Sequence, residues 1–231
     1  MNKKKEIMNL VLDEYSRLET KYHRNKKWIE MSEDNLWQEL CLCILSSNVP
    51  YELALSAFHH LKEKGHLRLE LLKDETISTK TITDELSRPI YLPKKKDGGY
   101  RKYRFPKTRA RNIVRAAKVI SGEEGWIRKL LLRSNSEGKV RGILVSEISG
   151  IGLKEASHFL RNVKYSKNLA IVDSHIVSFL QQIDVGTQRK TKTMTRNTYF
   201  ELENRIQEIC NEYKLDLSIF DMAIWHFMRR K

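Results

Sequence analysis

Residues 139–175, KVRGILVSEISGIGLKEASHFLRNVKYSKNLAIVDSH, contain the pattern that decides the fold. Apolar residues at 140, 143, 144 and 148 recur at helical spacing, which predicts an amphipathic helix over 140–148. Gly150 and Gly152 end it, because glycine reaches the positive φ values that a tight two-helix hairpin needs. Lys154 then begins a second predicted helix, whose buried side carries Ala156, Phe159, Leu160 and Val163. After a short loop, Asp173 opens a third.

Two chemical properties follow from this hairpin. The N–H groups at the start of the second helix and the bare glycine backbone predict a site for a DNA phosphate. Lys154 lies in the first turn, beside the positive end of the helix, and in a dry cleft we expect this position to favour the neutral amine. A neutral lysine is a nucleophile.

The segment from Gly150 to Lys154 (GIGLK), with Asp173 nineteen residues after the lysine, resembles the helix-hairpin-helix DNA glycosylase superfamily. The phrases GIGLKEASHFLRNV and AIVDSHI are similar to 8-oxoguanine DNA glycosylase/AP lyases of the archaeal and bacterial type. Residues 41–48 (CLCILSSN) resemble the helix-to-loop segment that these enzymes insert into the duplex, and residues 103–110 (YRFPKTRA) resemble their RFP-x-x-RA segment.

The resemblance implies an all-α, two-lobed fold with the active site in the groove between the lobes. We expect one lobe from about residues 50–165 and the other from residues 1–49 and 166–231, with the helix-hairpin-helix at 139–163. Nearly the whole sequence has helical periodicity, which agrees.

The resemblance also identifies the catalytic pair as Lys154 and Asp173. A lysine that attacks the anomeric carbon gives a Schiff base, and a carboxylate stabilises the positive charge that develops on the sugar. Two simpler interpretations stay open: Lys154 as a surface lysine, and Asp173 as the N-cap of its helix. One carboxylate can also serve both roles, since one oxygen can cap while the other faces the cleft.

Several residues are expected to contact DNA. Gly150 and Gly152 follow from the hairpin, while the resemblance implicates His175 near the backbone and Asn48 as the residue that fills the gap left by an extruded base. Asn48 before a proline is also a good local cap. Helical spacing places a basic stripe on one face, which predicts contacts with a phosphate backbone: Arg104, Lys107, Arg111, Arg115 and Lys118.

The base pocket is expected to include Trp225, on the last helix, and Lys231, because a C-terminal lysine helps to read the oxidised purine in the archaeal-type enzymes. Helix aromatics are often core residues, and the basic end of the sequence is also consistent with a frayed tail. Both alternatives stay open.

Residues 91–104 (YLPKKKDGGYRKYR) form a basic segment that is an insertion relative to the family members it resembles, so no role is carried over to it. An Asp-Gly or Gly-Gly pair between β-prone flanks predicts a small hairpin. A mobile basic loop is the alternative.

Composition supports a polyanionic partner. The net charge is +14, from 43 Lys and Arg against 29 Asp and Glu, which favours a nucleic acid, DNA or RNA, over a membrane; a solvated basic surface is the alternative. The resemblance implies double-stranded DNA. Three cysteines exclude a disulfide framework and the four-cysteine iron–sulfur cluster of some relatives. No cofactor is expected beyond a monovalent cation that the hairpin could hold. With no visible signal peptide, we expect an intracellular, nucleoid-associated monomer in the cytoplasm.

The resulting hypothesis is a bifunctional DNA glycosylase/AP lyase that excises an oxidised base, 8-oxoguanine by resemblance, and cleaves the strand by β-elimination. One alternative is a non-catalytic module that uses the hairpin as a phosphate clamp. Another is a glycosylase for a different lesion.

Overall fold

The computed structural model describes residues 3–24, 27–122, 125–183 and 194–230. Regular structure in these ranges is helical, apart from one antiparallel bridge between Tyr91 and Arg101. The all-α prediction is therefore confirmed. None of the helices in these ranges is long and apolar enough to cross a membrane.

The chain divides into two compact units. We call residues 28–159 the hairpin unit, and residues 1–27 with 160–231 the terminal unit. These boundaries differ from the predicted ones near residues 50 and 165, because the helix over residues 33–46 packs against helices of the hairpin unit.

The hairpin unit contains two short 3₁₀ turns, Trp28–Glu30 and Leu69–Leu71. Its α-helices are α2 (Glu33–Ser46), α3 (Tyr51–Glu63), α4 (Glu75–Leu86), α5 (Pro106–Ile120), α6 (Trp126–Leu132), α7 (Glu137–Glu147) and the first part of α8 (Leu153–Asn162).

Helix α2 lies in the core of this unit. Ser32 caps it by accepting a hydrogen bond from the backbone N–H of Asn35 at 3.1 Å. The last six residues of the helix are all buried, as expected for a helix that is apolar on every side. The fully buried Trp37 donates through Nε1 to the Leu67 carbonyl at 2.6 Å, which ties α2 to the chain after α3.

Helix α5 has two different faces. Pro106 occupies its first turn, where a missing N–H costs nothing. Apolar residues on one face are buried, among them Ala110, Ile113, Val114 and Ala117. The basic stripe predicted from the sequence (Arg104, Lys107, Arg111, Arg115 and Lys118) is exposed at every position, which confirms that it forms a solvent-facing surface.

The terminal unit contains the end of α8, α1 (Lys3–Arg24), α9 (Ser174–Gln182), α10 (Arg196–Tyr213) and α11 (Leu217–Arg229). Helix α1 packs along α11. The buried Glu14 of α1 receives hydrogen bonds from both terminal nitrogens of Arg230, at 2.9 and 3.2 Å. A two-pronged arginine–carboxylate pair of this kind fixes orientation as well as charge, so it anchors the end of α11.

Candidate active site

The turn between α7 and α8 depends on one glycine. Gly150 has a φ of 83°, in the left-handed region that favours glycine. A Cβ at Gly150 would lie 2.6 Å from Cγ and 2.8 Å from Cβ of Asn112, on α5. The Ser149 hydroxyl donates to Oδ1 of the same Asn112 at 3.2 Å. The hairpin is therefore locked directly onto the helix that carries the basic stripe.

Helix α8 begins immediately after the turn. Its first backbone bond runs from Ala156 N to Gly152 O at 2.9 Å, so the N–H groups of residues 153–155 have no partner within the helix. Oε2 of the buried Glu155 accepts a weak bond from Gly152 N at 3.3 Å. One donor that the sequence assigned to phosphate binding is thus already engaged inside the protein.

Lys154 lies in the first turn of α8, as predicted. Its side chain is 34% exposed, and its Nζ is 4.0 Å from Oε1 of Glu155. The amine is therefore reachable from solvent, and a carboxylate lies next to it.

Asn48 lies at the tip of the loop between α2 and α3. It is exposed and has a φ of 56°, a conformation that asparagine tolerates better than most residues. Its neighbours Ser47 and Val49 are buried. The loop therefore projects one polar side chain from a buried base.

Three side chains from residues 103–109 hold this loop by its carbonyl oxygens. Tyr103, which is buried, donates to Leu45 O in a very short hydrogen bond. Arg109, also buried, donates to Ser47 O at 2.5 Å, and Arg104 approaches Asn48 O at 3.5 Å. The segments 41–48 and 103–110, which both carry the sequence resemblance, are thus hydrogen-bonded to each other.

In the terminal unit, Asp173 is the N-cap of α9. Its Oδ1 accepts hydrogen bonds from the backbone N–H of His175 at 2.8 Å and of Ile176 at 3.1 Å. Within the described part of the chain, Oδ2 accepts none. The capping interpretation of Asp173 is therefore correct, and one oxygen stays available for a second role.

Side chains from α10 and α11 bind the backbone that leads to Asp173. Glu203 accepts from Ala170 N at 3.0 Å, while the Tyr199 hydroxyl donates to Ala170 O at 2.8 Å and lies 3.4 Å from Val172 N. Both side chains are buried. Residues 170–172 are held by tertiary contacts although they belong to no helix.

Asp221 completes this network. Its Oδ2 accepts from Ile171 N at 3.3 Å and from Nη1 of Arg161 at 2.9 Å. Burial raises the pKa of Asp221 to about 7; the Arg161 charge opposes this shift and the Asp173 charge adds to it. The Asp173 carboxylate therefore adds to the effect of burial in disfavouring the charged form of Asp221.

Two other predicted site residues lie in the same unit. The rings of His175 and Trp225 meet edge to face, with centroids 6.5 Å apart. The Arg229 guanidinium lies 4.2 Å from the centroid of the Trp225 ring, which is partly exposed rather than fully buried in the core. Lys231 lies outside the described residues.

A search for metal ligands in the described ranges finds no group of three or more His, Cys, Asp and Glu side chains that could hold an ion. The three cysteines are buried as free thiols.

Comparison with known proteins decides the family. The family profile described as 8-oxoguanine DNA glycosylase matches residues 95–215. The 8-oxoguanine DNA glycosylase/AP lyase of Methanocaldococcus jannaschii is 34% identical over 206 residues, which cover 89% of this chain and 86% of that protein. The chain belongs to the 8-oxoguanine DNA glycosylase family.

Other family members agree. The 8-oxoguanine DNA glycosylase/AP lyase of Korarchaeum cryptofilum is 29% identical, over 85% of this chain and 81% of its own length. The crystal structure of the M. jannaschii glycosylase/lyase with a 15mer DNA containing 8-oxoguanine has a TM-score of 0.73 and 29% identity, and it covers 94% of this chain and 91% of that chain. The Thermotoga maritima 8-oxoguanine DNA glycosylase, at 24% identity and a TM-score of 0.73, shares the fold.

The side chains that hold the loop at Asn48 and the backbone before Asp173 were not predicted from the sequence. Arg109 lies within the RFP-x-x-RA segment, on the otherwise apolar side of α5. An arginine at such a position could have been predicted to bind a buried polar group. Glu203, Tyr199, Asp221 and Arg161 gave no such signal, because the groups that they contact lie 29–60 residues away along the chain.

Substituting Gly150 by alanine is expected to destabilise the hairpin unit by about 1–3 kcal/mol or more. The new Cβ would collide with Asn112, and the alanine would have to adopt the left-handed backbone conformation of the glycine. Urea denaturation measures the change. Gly138→Ala, on α7 with open space around the added Cβ, is the matched control and should be neutral or slightly stabilising. Equal effects of the two substitutions would contradict this account of the turn.

Proposed function

We propose that this protein removes 8-oxoguanine from double-stranded DNA and then cleaves the strand at the abasic site. Membership of the 8-oxoguanine DNA glycosylase family carries this proposal. The relatives from M. jannaschii and K. cryptofilum are named for both activities, glycosylase and AP lyase.

The proposed chemistry needs one amine and one carboxylate. Lys154, as the neutral amine, attacks the anomeric carbon as the base leaves with the electrons of the glycosidic bond. The C1′–O4′ bond of the sugar ring then opens, the ring oxygen takes a proton, and the nitrogen forms the C=N bond of a Schiff base. Loss of a C2′ proton from this Schiff base expels the 3′ phosphate. The free Oδ2 of Asp173 stabilises the positive charge that develops on the sugar. The partly exposed position of Lys154 and the one-sided capping by Asp173 support these roles.

The remaining predicted residues are assigned to DNA. A base must leave the stack before it is cut. Asn48, at the tip of the loop between α2 and α3, enters the space that the extruded base leaves. The α8 N-terminus after Gly150 and Gly152 takes one backbone phosphate, and His175 takes another. Arg104, Lys107 and Arg111 follow the phosphate chain on the exposed face of α5.

We further propose that Trp225 forms a wall of the base pocket, together with Lys231. No metal is required, because the amine and the carboxylate supply both the nucleophile and the electrostatic stabilisation. A monovalent cation at the hairpin would affect DNA binding only. We expect incision to be undiminished in excess EDTA, and loss of incision there would contradict this part of the proposal.

Lys154→Gln is expected to abolish borohydride trapping of the protein on a duplex containing 8-oxoguanine, because an amide cannot form a Schiff base. Lys139→Gln, at an exposed position on α7, is the control and should trap normally. Undiminished trapping by Lys154→Gln would refute the assignment of the nucleophile. Tight binding by the wild type without incision of the oxidised duplex would instead indicate a non-catalytic module.

Asp173→Asn is expected to slow single-turnover base removal by at least about 10²–10³-fold, because it removes the negative charge. Asparagine is a good N-cap, so stability should change by less than about 1 kcal/mol. Asp216→Asn changes the N-cap of α11 in the same way and serves as the control, with a normal rate expected. A normal rate for Asp173→Asn, with the fold intact, would remove Asp173 from the mechanism.

A further inference from the structure

We propose that residues 91–104, which we call the basic hairpin, form a second DNA-binding surface that grips the phosphate backbone beyond the damaged base pair. This inference rests on the proposed function, in that it takes DNA as the partner. The basic hairpin contains neither the helix-hairpin-helix turn at Gly150 nor the proposed catalytic pair, so the proposed function gives most of its residues no role.

The segment is ordered as a hairpin, the first of the two forms that the sequence left open. Tyr91 and Arg101 exchange two backbone hydrogen bonds, each of 3.0 Å. Closer to the tip, Lys95 N donates to Gly99 O at 2.8 Å, and Asp97 accepts from Gly99 N at 2.9 Å. The Arg101 side chain donates to Pro93 O at 2.7 Å, which ties the two arms together.

Both ends of the basic hairpin are anchored in the core of the hairpin unit. Tyr91 is 1% exposed and donates to Glu85 O at 2.7 Å, while Leu92 N donates to the Ser56 hydroxyl at 3.0 Å. At the other end, Tyr103 is 3% exposed and bonded to Leu45 O. A hairpin fixed in this way loses less conformational entropy on binding than a free loop would.

The basic hairpin carries a dense positive charge. Lys94, Lys95, Lys96 and Lys102 are exposed, and in the described part of the chain none of them forms an ion pair within the protein. The only acid among residues 94–104 is Asp97, whose Oδ1 is engaged by the turn. Like charges held close together repel one another, so this arrangement is best relieved by a polyanion.

The position of the basic hairpin favours DNA over other polyanions. Its last residues, Tyr103 and Arg104, contact the carbonyl of Leu45 in the last turn of α2 and the carbonyl of Asn48 in the loop that we propose enters the duplex. From Arg104 the chain continues directly into α5 and its exposed basic stripe. The hairpin thus extends the same basic surface from the proposed point of base extrusion.

The reach of the hairpin sets the scale of the contact. Seven residues separate its base from its tip, and at about 3.3 Å per residue they span at most roughly 23 Å. At about 3.4 Å per base-pair step, this corresponds to roughly six or seven base pairs of duplex. The affected phosphates should therefore lie within about seven base pairs of the lesion.

The test is the salt dependence of binding to an undamaged duplex, measured by fluorescence anisotropy with full-length protein. The variant Lys95→Gln/Lys96→Gln/Lys102→Gln leaves Lys94 on the Tyr100 ring and Arg101 on Pro93 O, so the hairpin should stay folded. Each lost phosphate contact lowers the slope of log K against log[salt] by about 0.9, so a reduction of up to about 2.7 is expected.

A control variant removes the same charge from the terminal unit. Lys5→Gln/Lys21→Gln/Lys214→Gln changes three exposed lysines and should change the slope by less than about 0.9. Shortening the duplex until clearly fewer than about seven base pairs remain on each side of its centre should make the difference between the two variants disappear. Equal slopes for the two variants, or a difference that does not depend on duplex length, would overturn the proposal.

Failure of this inference is distinguishable from failure of the proposed function. At saturating enzyme and low salt, the control triple variant should incise a lesion duplex as the wild type does, because it touches neither Lys154, nor Asp173, nor the basic hairpin. If the wild type incises the lesion duplex but the basic-hairpin variant keeps the wild-type salt slope, only the role of the basic hairpin is overturned. Absence of incision by the wild type would overturn the glycosylase proposal, whatever the slope.

Discussion

The structure of the hairpin unit depends on the contact between Gly150 and Asn112. Any side chain at position 150 would occupy the space of the asparagine, and the left-handed backbone there would be strained. This contact fixes where α8 begins, and hence where Lys154 is presented and where the free N–H groups of the first turn point. It also joins the hairpin to α5, so that the proposed nucleophile and the basic stripe belong to one compact unit.

In the terminal unit, polar side chains determine the backbone path that leads to Asp173. The backbone before Asp173 belongs to no helix, and Glu203, Tyr199 and Asp221 bind the N–H groups of residues 170–172 and the carbonyl of Ala170. Buried backbone groups without partners would be costly, so this network determines the path of the chain into α9. Asp173 then caps α9 with one oxygen only, which explains how one carboxylate can hold a helix and still be available for chemistry.

The sequence predicted the helices around the hairpin well, because helix α7, Gly150 and α8 are specified by local periodicity and local backbone preference. Short-range signals also indicated the N-cap at Asp173 and the exposed basic face of α5. Contacts distant in sequence could not be read in this way: Arg109 reaches Ser47, and Asp221 reaches Ile171, only after tertiary folding. The short helix α6, which starts after a left-handed Gly125, was not predicted, although its buried pairs at 126–127 and 130–131 have helical spacing.

The central claim is that the amine in the first turn after the hairpin forms the covalent bond to the sugar. The most direct measurement is peptide mapping by mass spectrometry of wild-type protein reduced with borohydride on a duplex containing 8-oxoguanine. We expect the deoxyribose remnant on Lys154 alone. A remnant on another lysine, or one distributed over several exposed lysines, would contradict the account.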